Sequence, residues 1–457
     1  MLGEGMKRLF GTDGIRGVVG ELMTPGFGVE MGMAIGTFLG RGKIVIATDT
    51  RTTKDMMKNA VVSALVSTGI DVLDLGIAPT PALQFAVPYF KADLGVIITA
   101  SHNPPNFNGI KCVDSDGTEL PREKEEKIER IFFKKNYKSA EWENIGRLSN
   151  EKINEEYVNA IRKQVDVEII KKAGLKVVLD CANGAGCFTA PYLLESLGCK
   201  VVALNAQPMG VPAHNSEPTP ENLQELVKTV KVVGADLGVA HDGDADRAVF
   251  VDEKGNYIPG EKTLAFLAGE IVRENKGGLV VTAVSSSLSV EEVVKKYGGE
   301  VEYTKVGSPI IARVMRKKNG VFGGEENGGL IFPSFQYCRD GGMAAAKILE
   351  IIAKNKKTLS ELISSVPTYF LYKTKIPCPE EKKEKALKMF AEEMKKQKHK
   401  ISTVDGVKIF FSQGWVLVRP SGTEPIYRIF AESKNIKDAK NLAEHGKRMI
   451  EKIVEKT

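Results

Sequence analysis

The segment Ala92-Asp93-Leu94-Gly95-Val96, "ADLGV", recurs unchanged at 235–239. Both copies run through apolar residues into polar ones: "ADLGVIITASHN" in the first case, "ADLGVAHDGDAD" in the second. A looser third version, "NGVFGGEENGG", begins at Asn319. A repeated apolar run ending in a polar loop implies a repeated structural unit. The surrounding pattern agrees. "KIVIATD", "KDMMKNAVVSALVSTG" and "DVLDLG" read as strand, helix and strand, and "LKVVLDC", "GCFTAPYLLESLG" and "KVVALNA" repeat that order. A third round runs from "EKTLAFLAGEIVREN" through "GLVVTAVSSS" to "SVEEVVKKYG". The alternation predicts α/β units with helices packed on sheets. Ligands of such sheets bind beyond the carboxyl ends of strands, so the three polar loops are expected to converge on one cleft. Duplication explains the strands but not three chemically different loops.

At 457 residues the chain is too long for one core, and three or four domains are expected. The tail breaks the pattern: "VKIFF", "WVLVRP" and "IYRIFAE" are closely spaced strands. They are preceded by a charged helix, Glu380–Lys400, and followed by another from about Lys437, which predicts a smaller α+β domain. A net charge of +6 over this length, with no basic stripe interleaved with aromatics, argues against nucleic acid but leaves room for small anions. The six cysteines (112, 181, 187, 199, 338 and 378) form no C-x-x-C pair, so neither a disulfide framework nor a thiolate zinc site is expected. No run reaches membrane-spanning length, and the expected location is a reducing cytoplasm.

The loops carry the chemistry. In "TASHNPP", Ser101 and His102 follow a buried strand, and Pro104 and Pro105 restrict the backbone around them. "HDGDADR" brings Asp242, Asp244 and Asp246 together, a hard oxygen set that suits Mg²⁺. A calcium loop is disfavoured because Arg247 stands where that loop needs glycine and the flanks "LGVA" and "AVFV" are strand-like. A merely solvated acidic turn is disfavoured because the three charges repel without a cation. "NGAG", Asn183–Gly186, lacks the third glycine of a dinucleotide fingerprint and reads as a structural turn. "RPSGTEP" joins Arg419 to hydroxyls and a glycine, with Arg428 nearby, a pattern able to cradle phosphate. "GTDGIRG" sets Arg16 among glycines, "TKVGS" offers Lys305 and Gly307, and "GGEENGG" offers Glu325 and Asn327 to sugar hydroxyls. Together they point to phosphoryl transfer on a phosphosugar.

Four of these motifs, in order, resemble those of the α-D-phosphohexomutase superfamily from end to end: "TASHNPP" its phosphoserine loop, "DGDADR" its metal loop, "GGEENGG" its sugar loop and "RPSGTEP" its phosphate loop. The resemblance implies three related α/β domains (1–150, 151–255 and 256–368) and a TATA-binding-protein-like α+β domain (369–457) around a central cleft. It implies that Ser101 is phosphorylated and that Asp242, Asp244 and Asp246 hold Mg²⁺ with an oxygen of that phosphoserine. Lys111, in "NGIK", and His102 become acid/base candidates, with Arg16 and Arg247 supporting the phosphoryl group. Glu325 and Asn327 would read sugar hydroxyls. Arg419, Ser421, Gly422, Thr423 and Arg428 would grip the other phosphate, assisted by Lys305 and Gly307. The implied reaction moves phosphate between O6 and O1 through a sugar 1,6-bisphosphate. Its partner is a small phosphosugar, not a membrane or nucleic acid, and a homodimer is the assembly considered.

The expected substrate is glucosamine phosphate, on the strength of "GTDGIRG" and "GGE"; the alternative is a bifunctional phosphoglucomutase/phosphomannomutase. Asn327, Gly329, Ser308 and Pro309 depart from the bacterial phosphoglucosamine mutase pattern and resemble archaeal-type sequences. Two rivals are a haloacid-dehalogenase-like phosphatase using Asp242 as nucleophile and a non-catalytic sugar-phosphate-binding protein.

Overall fold

In the computed structural model, residues 8–421 and 425–457 are described. Four sheets follow one another along the chain. In the first, Gly42–Thr48 lies between two parallel neighbours, Ile70–Ile77 and Leu94–Ile98, and Leu94–Ile98 turns back antiparallel into Phe107–Asp114. The second sheet repeats this plan with Lys176–Asp180 between Lys200–Leu204 and Leu237–His241, the latter returning through Ala248–Asp252. The third repeats it with Gly278–Ala283, Gly299–Thr304, Phe322–Gly324 and Leu330–Phe332. Each recurring segment is thus the strand at which a parallel sheet reverses direction. Each polar loop is the hairpin at that reversal.

The sequence dictates this placement. Every residue of "LGVII" and of "LGVAH" is buried, as expected for strands covered on both faces. One apolar core runs through all three sheets, from Val45 and Ile97 through Val177 and Val239 to Val280 and Phe322. The helices Thr80–Tyr89, Asn154–Arg162 and Gly341–Asn355 contribute to it. The Tyr157 hydroxyl donates to Asp340 Oδ1 at 2.6 Å, and Asp340 caps the third of these helices by accepting from Met343 N. The hairpin loops therefore stand on one shared, close-packed base.

The last sheet is antiparallel throughout, ordered Phe370–Pro377, Ile426–Ser433, Gly414–Pro420, Val407–Phe411 and Lys400–Ser402. Helices Glu380–Lys396 and Ile436–Lys456 cover one face around Phe390, Ile409, Val418 and Ile429. On the other face, Trp415 and Leu417 meet Val284 of the third unit. The expected fold class, α/β followed by α+β, is borne out.

Two details differ from expectation. Among the described residues the tail has five strands, because both edges went unrecognised: "FLYKTKIP" is interrupted by Lys373, Thr374 and Lys375, and "KIS" is only three residues long. The charged helix ends at Lys396, so Lys400 pairs in a strand.

Candidate active site

Ser101 sits in the first hairpin, fully buried, with its backbone in the left-handed region at φ 50°. A non-glycine residue pays for that conformation, and such strain collects at functional sites. The Ser101 hydroxyl donates to Asp242 Oδ2 at 2.8 Å, which joins the first loop to the second. His102 Nδ1 lies 3.3 Å from the same hydroxyl and accepts from Arg247 Nη2 at 3.1 Å. Burial, then Arg247 and Arg16, push the His102 imidazole down to about 3, so it is neutral at ordinary pH.

The prolines are not the main restraint on this loop. Arg51 is. Its Nη1 donates to the carbonyls of Pro104 (2.7 Å) and Phe107 (2.9 Å), and its Nη2 to those of Ser101 (2.9 Å) and Asn103 (2.6 Å). Asp49 fixes the guanidinium through Nε, and its carboxylate also accepts from the Thr99 hydroxyl, which in turn accepts from Ser101 N. Neither Arg51 nor Asp49 was singled out from the sequence. Both lie just past the strand "KIVIAT", at the same end of the sheet as the Ser101 loop, because that strand runs parallel to Leu94–Ile98.

The second loop places one oxygen from each of Asp242, Asp244 and Asp246 within 4.8 Å of one another, all buried. Protein cations offset part of their repulsion, which the sequence reading did not foresee. Lys111 Nζ lies 3.1 Å from Asp244 Oδ2 and 3.6 Å from Asp246 Oδ2, and Arg339 Nη2 donates to Asp246 Oδ2 at 2.5 Å. Thr80 donates to Asp244 Oδ2 at 2.6 Å. Burial works against the Lys111 charge, but Asp13, Asp244 and Asp246 raise its pKa above the ordinary lysine value. Burial also opposes ionisation of Asp244, yet Lys111 and Thr80 hold it well below the usual carboxylate range. Asp242 is pushed up by burial and then by Asp246 and Asp244. The Oδ1 atoms of Asp244 and Asp246 are buried without a hydrogen bond, and Arg247 Nε lies 3.8 Å from that of Asp246. Three converging carboxylates, two with an unsatisfied oxygen, fit a hard divalent cation.

Arg16 donates to Asp13 Oδ2 (2.7 Å) and Asn103 Oδ1 (2.9 Å), which brings it beside the serine loop. In the third loop, Glu325 is buried, accepts from Gly307 N at 3.1 Å, and lies 3.6 Å from Arg339 Nη1. Burial raises its pKa, against the pull of Arg339. Asn327 spends its side-chain oxygen inside the loop, accepting from Gly329 N. Gly307 N is likewise committed to Glu325, and Lys305 is exposed next to it. In the last unit, Arg419 and Arg428 are register partners on adjacent strands, and Arg419 Nε lies 2.8 Å from Asp405 Oδ2. The carbonyl of Ser421 accepts from Lys383 Nζ. Gly422 and Thr423 lie outside the described residues.

The loops also meet through their backbones. Ala185 N of "NGAG" donates to Gly243 O, Ala248 N to Gly328 O, and Thr80 N to Asp244 O. The "NGAG" turn thus packs against the acidic loop.

Sequence families bear on the whole of this arrangement. Phosphoglucomutase/phosphomannomutase alpha/beta/alpha domains I, II and III match residues 7–139, 155–255 and 259–370, and the C-terminal domain matches 374–446. A phosphoglucomutase/phosphomannomutase of Thermococcus kodakarensis is 50% identical over 98% of this chain and 100% of its own length. The chain belongs to the α-D-phosphohexomutase superfamily. A probable phosphoglucosamine mutase of the same organism is 43% identical to this phosphohexomutase, covering 98% of the chain and 99% of the relative. The crystal structure of a phosphoglucomutase/phosphomannomutase family protein from Burkholderia thailandensis superimposes with a TM-score of 0.87 at 25% identity, covering 97% of each chain. Relatives of this similarity are isomerases, and so is this enzyme. Among the described residues, no helix is long and apolar enough to cross a membrane.

Proposed function

We propose that this phosphohexomutase moves phosphate between O1 and O6 of a hexose phosphate, with Ser101 as the group that gives and retakes it. The observation that carries this reading is the buried Ser101 hydroxyl 2.8 Å from Asp242, between a neutral imidazole and a carboxylate triad. In the reading, Ser101 Oγ attacks the phosphorus of a bound 1,6-bisphosphate, and the sugar oxygen leaves. In the opposite half-reaction a sugar hydroxyl attacks the phosphorus on Ser101. His102, held neutral, is placed to take the proton of that hydroxyl, and Lys111, held charged, to return one to the leaving oxygen. Arg16 and Arg247 flank the serine and stabilise the transferring group. Asp242, Asp244 and Asp246 would hold Mg²⁺, which when bound supplies positive charge against the phosphoryl oxygens. Glu325 is placed to accept from sugar hydroxyls, and Arg419, Ser421 and Arg428 are the described residues of the grip on the non-reacting phosphate.

The relative sharing half of its residues with this chain is named for glucose and mannose phosphates, which favours neutral hexoses. Glucosamine phosphate remains the second reading, supported by the 43% identity to a probable phosphoglucosamine mutase. The test compares kcat/KM for glucose 1-phosphate, mannose 1-phosphate and glucosamine 6-phosphate, each primed with its 1,6-bisphosphate. Preference for the two hexoses is expected. Exclusive turnover of the amino sugar would replace the first reading with the second.

A further inference from the structure

Arg339 ends the last strand of the third sheet, Gln336–Arg339, and is 4% exposed. Its Nη2 donates to Asp246 Oδ2 of the second unit at 2.5 Å and to Asp13 Oδ2 of the first at 2.9 Å. Its Nη1 lies 3.6 Å from Glu325 Oε2 of its own unit. The same oxygen of Asp13 meets Arg16 Nη2 at 2.7 Å and Lys111 Nζ at 3.0 Å. Asp13 thus gathers three cations, and Arg339 reaches three carboxylates on three units. A guanidinium holds such partners in a fixed planar fork, which an ammonium cannot do.

A buried ion network is by itself weak evidence for more than structure. The distribution of satisfied atoms says more. On Asp244 and Asp246 the protein occupies Oδ2 and leaves Oδ1 buried without a hydrogen bond, Arg247 Nε lying 3.8 Å from Asp246 Oδ1. Arg339 thereby fixes one edge of the Asp246 carboxylate and leaves the other edge without a hydrogen bond. We propose that Arg339 and Asp13 are positioning residues for phosphoryl transfer: Arg339 holds the Asp246 carboxylate in place to ligate a divalent cation, and Asp13 holds Lys111 against the acidic loop and Arg16 beside the serine loop. The proposal rests on the mutase reading of the site. It also makes the site depend on the first three units meeting, since neither residue has its partners within one of them.

The test uses the full chain, with phosphate content at Ser101 matched by intact mass. Mg²⁺ binding is measured by calorimetry and turnover by steady-state kinetics at saturating Mg²⁺. Arg339→Lys should weaken Mg²⁺ affinity at least ~10-fold, the effect expected when an outer partner of a metal ligand is lost. Asp13→Asn, which keeps the side chain's shape, should leave Mg²⁺ affinity within ~3-fold and KM within ~3-fold, yet lower kcat at least ~30-fold, the pattern of a lost transition-state interaction. Parental Mg²⁺ affinity in folded Arg339→Lys overturns the role of Arg339, and parental kcat in Asp13→Asn overturns that of Asp13. Failure of Arg339→Lys to fold marks Arg339 as a structural residue and overturns its role, leaving Asp13→Asn to decide that of Asp13; failure of both to fold overturns the proposal. A wild-type protein that interconverts no sugar phosphate would sink the mutase reading, while the Mg²⁺ measurement would still judge Arg339.

Discussion

The Ser101 loop is held by one side chain more than by its own sequence. Arg51 donates to four carbonyls of the loop and is itself fixed by Asp49. Lysine there would keep the charge but lose the fork, so most of those carbonyls would be left without a donor. Arg51→Lys is therefore expected to fold, to bind sugar phosphate within ~3-fold of wild type, and to lose at least ~100-fold in kcat, because small misplacement of a reacting atom is costly. Steady-state kinetics check this; near-parental kcat would show that the prolines suffice. The residues that name the chemistry, Ser101, His102, Asp242, Asp244, Asp246 and Glu325, were legible because each falls within a compact motif at a strand end. Arg51, Asp13 and Arg339 were not. Each acts through partners in distant segments, and a sequence read in order does not show which distant segments fold together.

At the level of elements, the repeat "ADLGV" located the reversing strand of two sheets, and the looser "NGVFGG" that of the third. What the repeat could not show is how closely the loops approach one another. A Cβ on Gly243 would come within 2.5 Å of Ser101 O, and one on Gly184 within 2.5 Å of Gly243 O. Those are backbone contacts with no side chain to move aside, so the acidic loop must shift if Gly243 gains a methyl group. Gly243→Ala is expected to preserve the fold and lower kcat/KM at least ~100-fold, by displacing the aspartates from Ser101. Fully retained kcat/KM would mean that the two loops need not touch. The missed edge strands of the last sheet have a different origin: one carries Lys373 and Lys375 and the other is only three residues long, features that protect edges from mispairing and also hide them from pattern reading.

Across the whole molecule, three units share one core, whereas the fourth meets the third through a small, partly polar contact. Lys408 lies at its centre, donating to Val284 O at 2.8 Å, with its ammonium 3.9 Å from the Trp415 ring centroid. Glu432 accepts from both Leu288 N and Trp415 Nε1 beside it. Burial pushes the Lys408 amine down to about 8 from an ordinary 10.5, although Glu432, Glu291 and Glu326 pull the other way. Below pH 8 both folded and unfolded chains carry this proton, and the fold bears the cost of a buried cation. Between about pH 8 and 10.5 only the unfolded chain binds it, so stability rises with pH through that window. At ~1.4 kcal/mol per pKa unit the rise is about 3 kcal/mol. Measured as the stability difference between wild type and Lys408→Met, it should grow in favour of wild type from pH 8 to 10.5. A difference that stays constant across that range would contradict the buried-amine account.

The claim on which the rest depends is that phosphate passes through Ser101. Incubating the enzyme with a sugar 1,6-bisphosphate labelled in phosphorus and mapping the label by peptide mass spectrometry tests it most directly. The label is expected on the peptide containing Ser101, stable to hydroxylamine, and chased back into bisphosphate by unlabelled sugar monophosphate. Label found instead on the Asp242 peptide and released by hydroxylamine would contradict the account and restore the aspartyl-phosphate mechanism.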